Sequence, residues 1–188
     1  MTSSHRRRRL TTAAILFLGS AVAPGSMSPA AAQSMRLTSA DVKADAAMPR
    51  DHVYPCCGGK NISPQLSWQG VPKGTKSLVL TLIDLEGTRD YWTHWVIADM
   101  PPTTTSLARA TRSLPTGARA VMSNFGDLVY AGPCPPPGTG VHHYEITVWA
   151  MPTATVEVAP DANARALRTQ LEKQSIEHAS LNTVVASK

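Results

Sequence analysis

Three short apolar runs, each cut off by turn-forming residues, constrain this chain more than any other feature. Ser77-Leu78-Val79-Leu80-Thr81-Leu82-Ile83 carries apolar side chains with almost no polar alternation. That is the pattern of a strand buried on both faces, or nearly so. It ends in the polar stretch Asp84 to Asp90. Trp95-Val96-Ile97-Ala98 stops at Met100-Pro101-Pro102, and Tyr144-Glu145-Ile146-Thr147-Val148-Trp149 stops at Pro152. Leu66-Ser67-Trp68 and Ala120-Val121-Met122 are shorter strand candidates. Short strands with turn signals between them predict a mainly β domain, and no long helices alternate with them as a doubly wound sheet requires. Fifteen Pro and twelve Gly fit shaped loops, of which residues 101–119 are one. The helical pattern comes near the end. Asp161 is the expected N-cap, and Ala164, Leu167 and Leu171 fall on one face with Arg165, Arg168 and Lys173 outside. A second short element, 176–185, follows.

Residues 1–32 read as an address rather than as fold. Arg6 to Arg9 form a basic start, Leu10 to Val22 is a short apolar run, and Ala30-Ala31-Ala32 precedes Gln33 as a small-residue cleavage pattern. This is the order of a secretory signal peptide. The apolar run is short of the roughly 20 residues a membrane span needs. The expectation is a removed leader, 1–32, and one domain, 33–188, in the periplasm or secreted. Four of the 18 Lys and Arg lie in the leader, which leaves 14 against 13 acids. A nucleic-acid partner is therefore not expected, because such a binder keeps a basic face. Cys56, Cys57 and Cys134 are an odd number, and export makes a disulfide chemically accessible. Adjacent cysteines are not the usual spaced pair of zinc ligands.

Polar groups gather where the apolar runs end. Asp84 and Glu86 follow the first, Trp92 and His94 precede the second, and His142-His143-Tyr144 opens the third. If those strands are neighbours, one pocket holds Asp84, His94, His142 and Tyr144. His142 and His143 must point to opposite faces of a strand, so they cannot share that pocket. The loop Gly132-Pro133-Cys134-Pro135-Pro136-Pro137-Gly138 is stiff, and its few N–H groups could hold an anion or simply brace a rigid turn. No nucleophile elbow, zinc-protease motif or P-loop is present, and no metal or other cofactor is expected.

Asn61-Ile62-Ser63-Pro64-Gln65-Leu66-Ser67-Trp68 and Val71-Pro72-Lys73-Gly74-Thr75-Lys76-Ser77-Leu78 resemble the phosphatidylethanolamine-binding protein family, in its bacterial and archaeal branch of Raf kinase inhibitor-like proteins. Trp92-Thr93-His94-Trp95-Val96 looks like that family's His-Trp signature. Tyr130 to Pro136, Gly138 and His142-His143-Tyr144 look like its second signature. The resemblance spans roughly residues 36 to 185. It implies a central antiparallel sheet packed on a smaller one with helical structure near the C-terminus. It also implies a pocket for phosphate-like anions or phospholipid head groups, walled by Asp84, Trp92, His94, Tyr130, Gly132, Cys134, Pro135, His142 and Tyr144. By the same resemblance Cys57 pairs with Cys134 and Cys56 is left over. Departures from the family pattern are Asp84-Leu85-Glu86-Gly87-Thr88, where two prolines are missing, and His143, which replaces an arginine.

The implied function is an exported, non-enzymatic binder of a small anion or head group. The alternatives are an inhibitor of a protein partner, of protease or kinase type, and a phosphate or ester hydrolase. The histidines would charge near neutral pH, so binding is expected to strengthen between pH 8 and 6.

Overall fold

Apolar side chains on both sides of a strand require cover on both sides, and the chain supplies two different covers. The computed structural model describes residues 34–87, 90–158 and 163–188. The leader and its cleavage point lie outside them, as do Thr88 and the expected cap Asp161. The elements are β1 (Arg36–Thr38), β2 (Ala46–Ala47), β3 (Leu66–Gln69), β4 (Ser77–Asp84), β5 (Trp92–Met100), β6 (Ser106–Leu107), β7 (Arg119–Val121), β8 (Val141–Met151), α1 (Ala164–Gln174) and β9 (Glu177–Ala186). They form a six-stranded sheet in the order β2-β9-β8-β4-β5-β7 and a three-stranded sheet in the order β1-β3-β6. Every pairing is antiparallel except β2 with β9. The fold is mainly β, as the strand pattern predicts.

All eight residues of β4 are buried, since it lies inside the large sheet between β8 and β5. On one face Leu78, Leu80 and Leu82 join Trp95, Ile97, Ile146 and Val148, and the small sheet closes over them with Leu37, Leu66, Trp68 and Leu107. On the other face Val79, Val96, Ala98, Trp149 and Met151 pack against Val156, Leu167 and Leu171, so α1 is the cover there. Ala164, Leu167 and Leu171 are the buried stripe of α1, as their spacing predicts. Its cap is Asn163, whose side-chain oxygen accepts a 2.7 Å bond from the Ala166 N–H. Arg168 grips Glu145 of β8 through Nε at 2.8 Å and Nη2 at 3.1 Å, which ties the helix to the sheet. No helix among the described residues is long and apolar enough to cross a membrane.

The last element is a strand. β9 alternates buried Ala179, Leu181 and Thr183 with more exposed neighbours and runs beside the whole length of β8. The segment 101–118 is a loop except for the short β6, which pairs with β3, and Arg119 already belongs to β7.

Candidate functional site

Register brings the polar strand ends together. Asp84 faces Trp92 across β4–β5 and faces Tyr144 across β4–β8, so the three stand in one row on adjacent strands. Residues opposite each other in a sheet project to the same side, and so do residues two apart on one strand. His142 therefore joins Tyr144. His143 takes the opposite side, where it is exposed and holds Glu86 Oε1 at 2.8 Å through Nδ1.

His94 reaches this face by a β-bulge. Leu82 pairs with Trp95 but Ile83 pairs with Thr93, which leaves His94 without an opposite residue. An extra residue of this kind re-aims side chains. Both His94 and Trp95 are turned inward to the same side. Trp95 enters the core with Leu82, while the His94 ring stands edge-on to Tyr144 at 5.2 Å. Regular alternation would have sent one of the two away.

The His94 Nδ1 lies 3.0 Å from the Ala131 carbonyl. A carbonyl only accepts, so Nδ1 carries the proton and Nε2 is left as an acceptor in the neutral ring. Burial pushes the pKa of His94 down to about 4, against the weaker upward pull of the Ala131 carbonyl and of Asp84. His94 is thus neutral between pH 6 and 8, and the expectation that it gains charge in that range is corrected. Desolvation of an imidazolium costs more here than one carbonyl and one carboxylate return.

Asp84 is the hub. It is 3% exposed, its Oδ2 meets His142 Nδ1 at 2.8 Å, and its Oδ1 accepts the Glu86 N–H at 2.9 Å. His142 continues through Nε2 to Thr139 Oγ1 at 2.8 Å, and that hydroxyl donates to the Pro136 carbonyl at 2.7 Å. The Tyr144 hydroxyl is buried and faces the Asp84 carboxylate. Burial first, and the neighbouring Asp84 carboxylate second, raise its pKa, so it keeps its proton as a donor.

A cavity of about 310 Å³ opens at this end of the sheet, lined by Asp84, Gly87, Trp92, His94, Phe125, Cys134 and Pro136. Four of the residues expected from sequence line it: Asp84, Trp92, His94 and Cys134. His142 and Tyr144 stand at the same sheet end in contact with them. Tyr130, Gly132 and Pro135 do not line it and instead build its surroundings. The Tyr130 hydroxyl donates to the His52 carbonyl at 2.6 Å while its ring packs edge-on against Trp95 at 5.4 Å. The Gly132 N–H is spent on Asn61 Oδ1 at 2.7 Å, and a Cβ there would come within 2.3 Å of the His52 carbonyl oxygen. Pro135 is buried, and Pro136 takes the lining position.

Three lining residues were not expected: Pro136, which stands in for Pro135, and Phe125 and Gly87. Phe125 gathers Tyr54, Trp92 and His94 at ring distances of 5.2, 6.4 and 4.9 Å. Its neighbour Asn124 clamps it to β5, accepting from the Thr93 N–H and hydroxyl at 2.8 and 2.9 Å and donating its own N–H back to Thr93 Oγ1 at 2.8 Å. The available signal was rarity: the chain has two Phe, and the other, Phe17, lies in the leader. Gly87 leaves room for Trp92, since a Cβ there would sit 2.6 Å from Trp92 Cβ.

The proline loop is fixed at several points. Pro133 accepts from the Tyr54 N–H, Gly138 N–H reaches the Lys188 carbonyl, and Gly140 pairs with Ser187. Cys134 is bonded to Cys57 with Cα atoms 5.5 Å apart, the pairing the resemblance implies. Cys56 is free and exposed.

A family model described as phosphatidylethanolamine-binding protein matches residues 38–186. UPF0098 protein YbcL of Escherichia coli is 34% identical over 163 residues, 82% of this chain and 89% of that one. The crystal structure of E. coli YbcL, titled as a new member of the mammalian PEBP family, superposes with a TM-score of 0.75 at 33% identity, over 83% of this chain and 100% of that one. A Mycobacterium tuberculosis protein carrying the name lipoprotein LppC is 35% identical over 106 residues, 56% of this chain and 51% of that one.

Proposed function

Because the chain belongs to the phosphatidylethanolamine-binding protein family, we propose that its cavity binds a small phosphate-bearing group, free or as a lipid head group, without turning it over. The observation that carries this reading is the junction of unlike polar groups in one largely apolar recess. A neutral His94 ring with an acceptor nitrogen and the Asp84 carboxylate line the recess, and beside them lies the Tyr144 hydroxyl, which faces that carboxylate. Acceptors beside a donor suit a phosphate that keeps one proton better than one that has lost both. Trp92, Phe125 and Pro136 supply apolar walls, and Cys134 remains as a backbone donor candidate where Gly132 is already committed.

Asp84, His142 and Thr139 have the carboxylate–imidazole–hydroxyl order of a nucleophilic triad. The hydroxyl proton points to the Pro136 carbonyl rather than to the imidazole, which favours a bracing role for Thr139. Binding without hydrolysis is the reading this supports. The kinship with a protein named a lipoprotein, together with the leader pattern, supports an exported protein of the cell envelope or its surroundings.

Calorimetric titration with phosphate and phosphoethanolamine tests the site. His94→Ala should weaken binding at least tenfold, and His143→Ala should leave it within twofold. Equal affinity in the wild type and His94→Ala removes the assignment. Hydrolysis of aryl phosphates or esters that disappears in Thr139→Ala would replace binding by catalysis. N-terminal sequencing of exported material should begin at Gln33, and a mature chain retaining Arg6 to Arg9 refutes the leader.

A further inference from the structure

The third cysteine is not remote from the disulfide. Cys56 and Cys57 belong to one 3-10 turn, Pro55–Cys57, and Cys56 Sγ lies 2.7 Å from Cys134 Sγ. The three sulfur atoms all fall within 4.8 Å of one another. The two segments that carry them are joined by backbone as well as by sulfur, since the Tyr54 N–H donates to the Pro133 carbonyl at 3.0 Å. The turn is closed on itself by the Cys57 N–H to the Tyr54 carbonyl at 3.0 Å and the Gly58 N–H to the Pro55 carbonyl at 2.8 Å. The frame therefore holds the sulfurs together whichever pair is bonded.

We propose that Cys56, Cys57 and Cys134 form a thiol–disulfide exchange site whose substrate is the chain's own disulfide. Cys56 loses its proton to solvent and its thiolate attacks Cys134 Sγ. The Cys56–Cys134 bond forms, the Cys57–Cys134 bond breaks, and Cys57 leaves as a thiolate that takes a proton from solvent. No electrons leave the chain, so no outside oxidant or reductant is needed. Attack proceeds through the thiolate, so the exchange accelerates as pH rises.

The two bonded forms differ in what they present. With Cys57 bonded, the free thiol is the exposed Cys56. With Cys56 bonded, the free thiol is the half-buried Cys57. Exchange thus moves the reactive thiol from solvent to a sheltered position and back. It also moves by one residue the tether of Cys134, which lines the cavity wall.

Two measurements on the oxidised full chain decide the matter. Thiol counting under denaturing conditions should find no free thiol in Cys57→Ser, because Cys56 takes over the bond, and none in Cys56→Ser. Two free thiols in Cys57→Ser overturn the exchange. The second measurement does not depend on that variant folding. Wild-type protein is treated with limiting iodoacetamide between pH 6 and 9, and tandem mass spectrometry assigns the label to Cys56 or Cys57. A share of the label on Cys57 beside that on Cys56 is the expected result. Label on Cys56 alone across the range overturns the proposal whatever the variant does.

Discussion

Removing either half of the Asp84–His142 pair should destabilise the protein, but not equally. Both side chains are almost fully buried, at 3% and 2% exposure, and they meet at 2.8 Å. In His142→Ala the carboxylate keeps the Glu86 N–H but loses its imidazole, and a buried charge that loses its partner costs about 3–5 kcal/mol. In Asp84→Asn no buried carboxylate is left uncompensated and the new amide can still meet the imidazole, so the loss is that of a weakened buried hydrogen bond, about 1–3 kcal/mol. Since the partners share one contact, the double variant should lose less than the two single losses combined, with a coupling of about 0.5–3 kcal/mol. Urea unfolding at pH 7 of the wild type, both single variants and the double variant, with the disulfide intact, measures all four corners. An unchanged urea dependence would show that the denatured state is comparable. The reasoning fails if Asp84→Asn costs more than His142→Ala, or if the losses add within about 0.3–0.5 kcal/mol.

Acid should weaken the fold through His94. Its pKa is held near 4 in the folded chain and returns to about 6.5 on unfolding, so the unfolded state binds the extra proton and stability falls as pH drops from about 6.5 to 4. The loss is on the order of 3 kcal/mol and should flatten in His94→Gln; equal slopes in urea titrations of the two proteins argue against it. Ligand titration should depend on the ligand rather than on His94 above pH 6. A phosphate monoester, with its second pKa at about 6, should bind several-fold tighter at pH 6 than at pH 8, whereas a diester should show no such change in calorimetry. Gly87→Ala should displace the loop after β4, because Trp92 Cβ is fixed to its strand and cannot yield. A cost of about 1–3 kcal/mol and a loss of phosphoethanolamine binding are expected, and native affinity in this variant would contradict the close packing.

Where local environment writes the pattern, the sequence could be read directly. The continuous apolar run of β4 reports cover on both faces, and both covers exist. Ala164, Leu167 and Leu171 report one buried stripe on α1 by spacing alone. The opposed directions of His142 and His143 follow from strand geometry and need no partner to be known. The family resemblance added the Cys57–Cys134 bond, which composition left open.

What remained hidden depends on residues far apart in the chain. The strands β1, β2 and β6 span two or three residues each and exist because distant strands complete their hydrogen bonds. No periodicity within 92–95 announces that His94 and Trp95 share a face, since the bulge appears only when β5 is set against β4. Phe125 enters the site because Asn124 bonds to Thr93, and Gly132 leaves the donor set because Asn61 takes its N–H. The protonation of His94 is the strongest case. An imidazole beside a carboxylate in sequence-level reasoning is a group that charges near neutrality. Enclosed by Phe125, Tyr144 and the Ala131 carbonyl, the same ring stays neutral to about pH 4, because desolvation is a property of everything packed around it and of no residue alone.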